Sequence, residues 1–199
     1  MKPNYTVADM EDQWERMRGG DTHALLVLYE YNYSDLLSYG VQLSNSTDTA
    51  KDAINDVFLH LWEQHVKLKP VKNVKAYLFA CIRRKIFHPV YTDKKLWLIE
   101  EAVYESTETS YEEVLIAMQQ SEETRKKVQA ALEKLTARQK ELIHLKYFKN
   151  MDYREIELVT GISVKTAYNT IYNAVRSLAE ELRGALLIIF IFFLFFISR

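Results

Sequence analysis

The sequence predicts an all-α protein with two small helical domains joined by an acidic linker. Only five glycines and three prolines interrupt 199 residues, which is too few turn residues for a many-stranded sheet. Apolar residues recur at helical spacing in both halves of the chain. We therefore divide the chain into a domain at 1–95, a linker at 96–121, a second domain at 122–183 and an apolar tail at 184–199.

The net charge of -1 conceals a strong segregation of charge along the chain. Residues 67–95 contain nine Lys or Arg and one acid, residues 96–123 contain eight Glu and no Lys or Arg, and residues 124–183 contain twelve basic against seven acidic residues. Such alternating blocks are typical of two nucleic-acid-facing units separated by an acidic tether. Solvated helix faces explain the charges equally well, so charge alone leaves both interpretations open.

Three helices are predicted in the first domain, at 22–43, 48–65 and 74–88, with a loop around Pro70 before the third. Pro89 should end the third helix, because proline lacks the backbone donor and restricts the residue before it. The helix at 48–65 has an apolar face and an acidic face. The apolar face consists of Ala50, Ala53, Ile54, Val57, Phe58 and Leu61. Opposite it lie Asp48, Asp52 and Asp56 at successive i, i+4 steps, here called the acidic stripe.

The second domain should contain helices at 123–135, 137–148 and 153–160, followed by a long helix from residue 164. Two helix starts carry capping-box pairs, Thr136 with Gln139 and Asp152 with Glu155. Gly161 stands where a helix end requires left-handed backbone geometry, and Ser163 can cap the next helix.

The segment from 152 to 178 therefore has the order of a helix-turn-helix, whose second helix enters the DNA major groove. On that helix an apolar side consists of Ala167, Ile171, Ala174, Val175, Leu178 and Leu182. The opposite, polar side provides the candidate DNA contacts Ser163, Lys165, Thr166, Asn169, Tyr172, Asn173 and Arg176. Lys and Arg pair with phosphates or guanine edges and Asn with adenine, although a polar face can also simply meet water. The turn and the capped flanks favour DNA readout.

Both halves of the chain resemble the extracytoplasmic-function group of RNA polymerase sigma factors. The motif Tyr153-Arg154-Glu155-Ile156 followed by Gly161-Ile162-Ser163 is similar to the C-terminal promoter-reading domain of that family. ALLVLYEYNYSDLLSYGVQLSNSTDTAKDAINDVFLHLWE at 24–63 resembles its polymerase-binding segment, and VKAYLFACIRRKI at 74–86 resembles its promoter-melting segment. A lone helix-turn-helix occurs in many families, whereas both halves in this order are specific to sigma factors.

The resemblance implies a non-enzymatic protein without a cofactor that binds core RNA polymerase and promoter DNA, with an anti-sigma factor as a further expected partner. It assigns the binding of a coiled coil of the largest polymerase subunit to the N-terminal domain, and the minus-thirty-five element to the polar side from Ser163 to Arg176. The acidic stripe suits a basic protein partner by complementary charge, although without the resemblance a solvated surface stripe explains it equally well. The minus-ten contacts fall in the cationic run, where bases stack on interleaved rings. Its candidates are Lys67, Lys69, Lys72, Asn73, Lys75, Arg83, Arg84 and Lys85. Phe79 and Tyr77, within this run, are expected to be core residues.

Three positions depart from the family pattern. Pro89 cuts a helix that continues in the family, Glu157 replaces the usual Ala, and Thr170 with Asn173 stand where Arg is frequent. The promoter sequence therefore does not transfer to this chain, and fewer cations should reduce DNA affinity and its salt dependence.

Residues 184–197, GALLIIFIFFLFFI, form an uninterrupted apolar segment without a polar face. As a helix they would reach about 21 Å, against a hydrocarbon core of about 30 Å. Two hypotheses follow: the tail enters the membrane and holds the protein at its cytoplasmic face, or it folds back and blocks the two domains. The body itself is expected in the cytoplasm, because no export signal begins the chain.

Other classes of function explain less of the sequence. An enzyme is disfavoured because the five histidines lack metal-ligand spacing, and Cys81 has the apolar neighbours of a packed thiol. A helix-turn-helix regulator that acts without polymerase explains residues 122–183 but leaves the acidic stripe without a role. An anti-sigma or membrane signalling adaptor is suggested by the tail alone.

Overall fold

A computed structural model describes residues 5–88, here called the N-terminal unit, and residues 129–182, here called the C-terminal unit. The regular elements within these ranges are helical, which confirms the predicted all-α class. The predicted acidic linker at 96–121, the tail at 184–197 and the proline predicted to end the third helix lie outside the described residues. Within the described ranges, no helix is long and apolar enough to cross a membrane.

Between residues 5 and 88, the N-terminal unit has four α-helices and one short 3₁₀ turn. They are α1 (Val7–Arg18), α2 (Thr22–Ser44), α3 (Thr47–Glu63), the turn His65–Lys67 and α4 (Val74–Phe87). Helices α2 and α3 form a hairpin, which is closed by Asn45 in the left-handed conformation at φ 52°. The core includes Tyr39 and Phe79, which are fully buried with ring centroids 4.9 Å apart, so the core assignment of Phe79 is confirmed. The six residues predicted for the apolar face of α3 are buried as well.

Helix α1 lies outside every element that the sequence analysis predicted. It begins with a reciprocal capping box between Thr6 and Asp9, and the backbone and side-chain hydrogen bonds from Thr6 lower the pKa of that carboxyl. Its buried residues Met10, Trp14 and Met17 recur at i, i+4 and i+7, so that one face packs against the unit. The cap and this spacing are the signals that predict the helix from sequence.

The crossing of α2 and α3 depends on Gly40, because a Cβ there would lie 2.8 Å from the Cβ of Ala50. Gly40 is helical and buried, so its role is to permit close approach of two backbones and not an unusual dihedral angle.

We expect Gly40→Ala to destabilise the N-terminal unit. Alanine favours a helix over glycine by about 1 kcal/mol, but overpacking a core costs about 1–3 kcal/mol. The net loss should therefore amount to as much as about 2 kcal/mol, as measured by urea unfolding followed by circular dichroism. The compensating pair Gly40→Ala with Ala50→Gly removes the clashing atom, and a double-mutant cycle should show favourable coupling between the two changes. Independent, additive effects would contradict the proposed close contact.

The C-terminal unit contains helical residues 129–133, α5 (Ala137–Ile143), α6 (Tyr153–Thr160) and α7 (Val164–Glu181). The predicted helix at 137–148 has the expected extent, but its second half, His144–Phe148, is a π-helical turn. Both predicted capping boxes are present. The core of this unit is formed by Leu142, Ile143, Ile156, Ala167, Ile171, Ala174 and Leu178. Burial lowers the pKa of His144 well below its ordinary value, so this histidine is neutral within the core.

Candidate nucleic-acid interface

The turn between α6 and α7 has the geometry that the sequence predicts. Gly161 is left-handed at φ 73°, and its N–H donates to the carbonyl of Glu157 over 2.8 Å. Ser163 caps α7, because its Oγ accepts from the N–H of Thr166 over 3.3 Å. The Glu157 carboxylate accepts from the N–H of Val164 over 3.3 Å. Glu157, a departure from the family pattern, therefore adds a second, negatively charged cap at the start of α7.

The polar side of α7 is exposed along its whole length, whereas its apolar side is packed against the unit. All seven candidate DNA contacts are exposed: Ser163, Lys165, Thr166, Asn169, Tyr172, Asn173 and Arg176. Ala167, Ile171, Ala174, Leu178 and Leu182 are buried on the other side, and Val175 is half-buried. Near the end of the helix, the Arg176 guanidinium bonds to Glu180 over 3.1 Å. A helix held in this way presents its donors and acceptors to the surroundings without rearrangement of the unit.

Tyr168 is an exposed residue of α7 that the predicted set omitted. Its ring stacks on that of Tyr172, with centroids 6.5 Å apart, and meets the edge of Tyr153 at 5.7 Å. The Nζ of Lys146 lies 4.9 Å from the Tyr153 ring centroid, so a cation continues this aromatic strip. The signal available from sequence was the spacing of Tyr168 and Tyr172, which are one helical turn apart.

In the N-terminal unit, the loop that precedes α4 is fastened by α1. The Trp14 indole N–H donates to the carbonyl of Lys69 over 3.0 Å, and Arg18 Nε donates to the carbonyl of Leu68 over 2.8 Å. Lys69 and Lys72 are exposed on this loop, and Lys67 is exposed at the end of the 3₁₀ turn just before it. Sequence reasoning identified these cations but missed the two side chains of α1 that position their backbone.

Several of the candidate minus-ten residues have roles within the fold itself. Asn73 caps α4, because its Oδ1 accepts from the N–H of Ala76 over 2.9 Å. Arg83 is only 7% exposed, and its guanidinium lies 5.1 Å from the ring centroid of Phe87. Lys75 lies 3.9 Å from a carboxylate oxygen of Asp35. Arg84 and Lys85 are half-buried on the last turn of α4. The exposed cations of the candidate set are therefore concentrated in the loop.

Within α4, Cys81 is packed as the sequence indicated, whereas Tyr77, predicted to be a core residue, is only half-buried. Cys81 is buried, and burial raises the pKa of its thiol to about 12, so it is an unreactive packed thiol. Tyr77 is half-buried against Trp14, with ring centroids 5.0 Å apart, and burial raises the pKa of its hydroxyl. Within the described ranges, no group of three His, Cys, Asp or Glu side chains is placed to hold a metal ion.

The acidic stripe is exposed at Asp48, Asp52 and Asp56 on the face of α3 opposite the core. At one end the acidic stripe contacts α4, because the Asp56 carboxylate forms an ion pair with the Nζ of Lys85 at 2.8 Å. This contact joins one candidate polymerase residue to one candidate DNA residue, and it partly neutralises the stripe at that point.

Two different family models match the N-terminal and the C-terminal half of the chain. A family model described as Sigma-70 region 2 matches residues 28–90, and one described as Sigma-70, region 4 matches residues 125–178. The structure of CnrH in complex with the cytosolic domain of CnrY covers 88% of this chain and 97% of its own, with a TM-score of 0.60 and 19% identity.

A second solved structure is the sigma factor RpoE in complex with the anti-sigma factor NepR from Bartonella quintana. It covers 82% of this chain and 97% of its own, with a TM-score of 0.52 and 20% identity. At these identities the likeness concerns the fold. No curated protein sequence gives a significant match.

Proposed function

Because the chain belongs to the sigma-70 family, as a member of its extracytoplasmic-function group, we propose that it carries core RNA polymerase to a defined set of promoters and helps to open them. Sigma factors of this family initiate transcription without catalysis of their own. The observation that best supports promoter reading is the exposed polar side of α7 behind the Gly161 turn. Lys165, Asn169 and Asn173 would contact the minus-thirty-five element there, by the general rules of major-groove readout.

Polymerase binding is proposed for the acidic stripe on α3. Three exposed carboxylates spaced one turn apart suit a basic helical partner, because complementary charge raises the association rate and fixes the docking register. Asp48 and Asp52 are the better candidates, since Asp56 is engaged by Lys85.

Contact with the opened minus-ten strand is proposed for the loop before α4. The exposed lysines Lys67, just before the loop, and Lys69 and Lys72, within it, would neutralise phosphates, and the fastening by Trp14 and Arg18 holds their backbone in place before DNA arrives. Arg83 is the weakest of the candidate minus-ten residues because it is buried.

Restraint of this activity is proposed for the apolar segment 184–197, by one of two routes. The segment either enters the cytoplasmic membrane or folds back onto the protein. A separate anti-sigma protein, of the kind present in the RpoE structure, is an alternative means of restraint.

Run-off transcription with purified core polymerase from the same cell tests the proposal. We expect initiation from selected genomic promoters that requires both the chain and core, and more transcript from a chain ending at Arg183 than from the full chain. A matched control carries three alanines in place of Lys165, Asn169 and Asn173, and should lose promoter selection. Absence of core-dependent initiation from either form would leave a helix-turn-helix regulator that acts without polymerase as the better interpretation.

A further inference from the structure

An apolar groove lies between α2 and α3 on the surface of the N-terminal unit. This open groove has a volume of about 350 Å³ and is lined by Thr22, Leu25, Leu26, Tyr29, Phe58, Leu59 and Trp62. Leu26 is 50% exposed and Leu59 is 58% exposed, so large apolar side chains of both helices face outward here. Contiguous exposed apolar surface of this kind marks a site at which another apolar surface binds.

The groove lies next to the acidic stripe on α3. Leu59 lies seven residues after Asp52 and three after Asp56, which places all three on one face of α3. Glu63, four residues after Leu59, is exposed on the same face. An occupant of the groove should therefore combine an apolar body with positive charge at its edges.

One segment of this chain has that composition. Residues 184–197 are apolar throughout, and arginines stand immediately before them at Arg183 and shortly after them at Arg199. We propose that this apolar segment of the same chain docks in the α2–α3 groove, with its flanking arginines toward the acidic side chains of α3. Docking removes apolar surface of both partners from water, and the covalent connection raises the effective concentration of the segment at the groove.

The regulatory consequence rests on the proposed function, whereas the docking itself does not. A segment in the groove would cover Leu59 and lie beside Asp52 and Asp56, which share one face of α3 with Leu59. Core polymerase and the docked segment would then compete for one face of α3. The restraint would act before any DNA is bound, and polymerase itself would displace it by mass action.

The reactivity of an introduced cysteine measures the docking directly. Leu59→Cys places a thiol at the groove, and Val66→Cys places one on the 77% exposed side chain of the 3₁₀ turn, which does not line the groove. The native Cys81 does not interfere with either measurement, because it is buried and its raised pKa keeps it unreactive at neutral pH. Each variant is labelled with N-ethylmaleimide in detergent-free buffer, in the full chain and in the full chain with Ile189→Asp and Phe193→Asp.

The thiol at position 59 should react at least about tenfold more slowly in the chain with its native tail than in the chain with the two aspartates. This ratio corresponds to about 1.4 kcal/mol of docking free energy. The thiol at position 66 should react equally in both. Circular dichroism verifies that all four proteins are folded.

Four outcomes would overturn the proposal. In the first, the thiol at position 59 reacts at the same rate with either tail. In the second, the native tail protects the thiol at position 66 to the same degree, which indicates general shielding. In the third, protection of position 59 grows with protein concentration, which identifies a second copy as the occupant. In the fourth, the native-tail protein sediments with phospholipid vesicles while position 59 stays reactive, which assigns the tail to the membrane. Because neither polymerase nor DNA is present, failure here and failure of the transcription assay are independent results.

Discussion

The double substitution Asp48→Lys, Asp52→Lys is expected to weaken binding of this sigma factor to core RNA polymerase by at least about a hundredfold. Each reversal replaces attraction to a basic partner by repulsion, and close charge pairs at interfaces couple by about 1.5 kcal/mol or more. Both side chains are exposed on α3, so the fold should tolerate the change. The measurement is the dissociation constant of a fluorescently labelled sigma factor titrated with core enzyme.

The matched control is Glu11→Lys, Asp12→Lys on α1, which changes the net charge of the chain by the same amount at a different helix. This control should bind core nearly as tightly as the parent. Equal weakening by both pairs would show a general charge effect, and unaltered binding by the α3 pair would remove the acidic stripe from the interface. Raising the salt concentration should reduce the difference between the α3 pair and the parent, because salt screens exposed charges.

Two substitutions on α7 should separate base readout from phosphate binding. Asn169→Ala is expected to reduce affinity for the selected promoter by about tenfold to a hundredfold, because a bidentate amide–base contact contributes about 1–3 kcal/mol of discrimination. Affinity for unrelated DNA should change little. Lys165→Ala should instead weaken binding to all sequences and lower the slope of log affinity against log salt by about one.

These measurements use the holoenzyme of each variant with promoter and scrambled duplexes over a range of salt concentrations. A useful control is Glu181→Ala, at an exposed position of α7 beyond the proposed contacts, where the Glu181 carboxylate forms an ion pair with Lys134, which is not a candidate DNA contact. A uniform loss on both duplexes for Asn169→Ala would contradict base readout at that residue. A selective loss for Lys165→Ala would assign base reading to the lysine.

The local features of the helix-turn-helix followed from sequence because they depend on neighbouring residues. Capping boxes, a left-handed glycine and a 3.6-residue apolar period act over a few residues, so the helix starts at 137, 153 and 164 were predicted correctly. The extent of α4 was predicted within one residue for the same reason. In contrast, α1 has an aspartate, Asp9, at its N3 position, where Glu or Gln is the usual sign of a capping box, and the sequence analysis does not predict this helix.

Contacts between distant residues were not accessible in this way. Nothing local to Lys85 or Asp56 indicates that they pair across α3 and α4, although the sequence placed one in a DNA surface and the other in a polymerase surface. The burial of Arg83 could not be predicted either. Arg83, Arg84 and Lys85 carry the same charge, and only the face of α4 that each occupies makes Arg83 buried and the other two half-buried. Tyr168 can be included in the candidate nucleic-acid interface only because the structure shows its ring stacked on that of Tyr172.

The sequence by itself determined the helical class, the caps and the exposed polar side of α7, since period, turn residues and capping pairs are local properties of the chain. Only the tertiary structure decided that α1 fastens the loop before α4, that Gly40 permits the α2–α3 crossing, and that an apolar groove borders the acidic stripe. The physical reason is range. Hydrogen bonds to Lys69 from Trp14, and steric contact between Gly40 and Ala50, join residues that are brought together by the packing of whole helices.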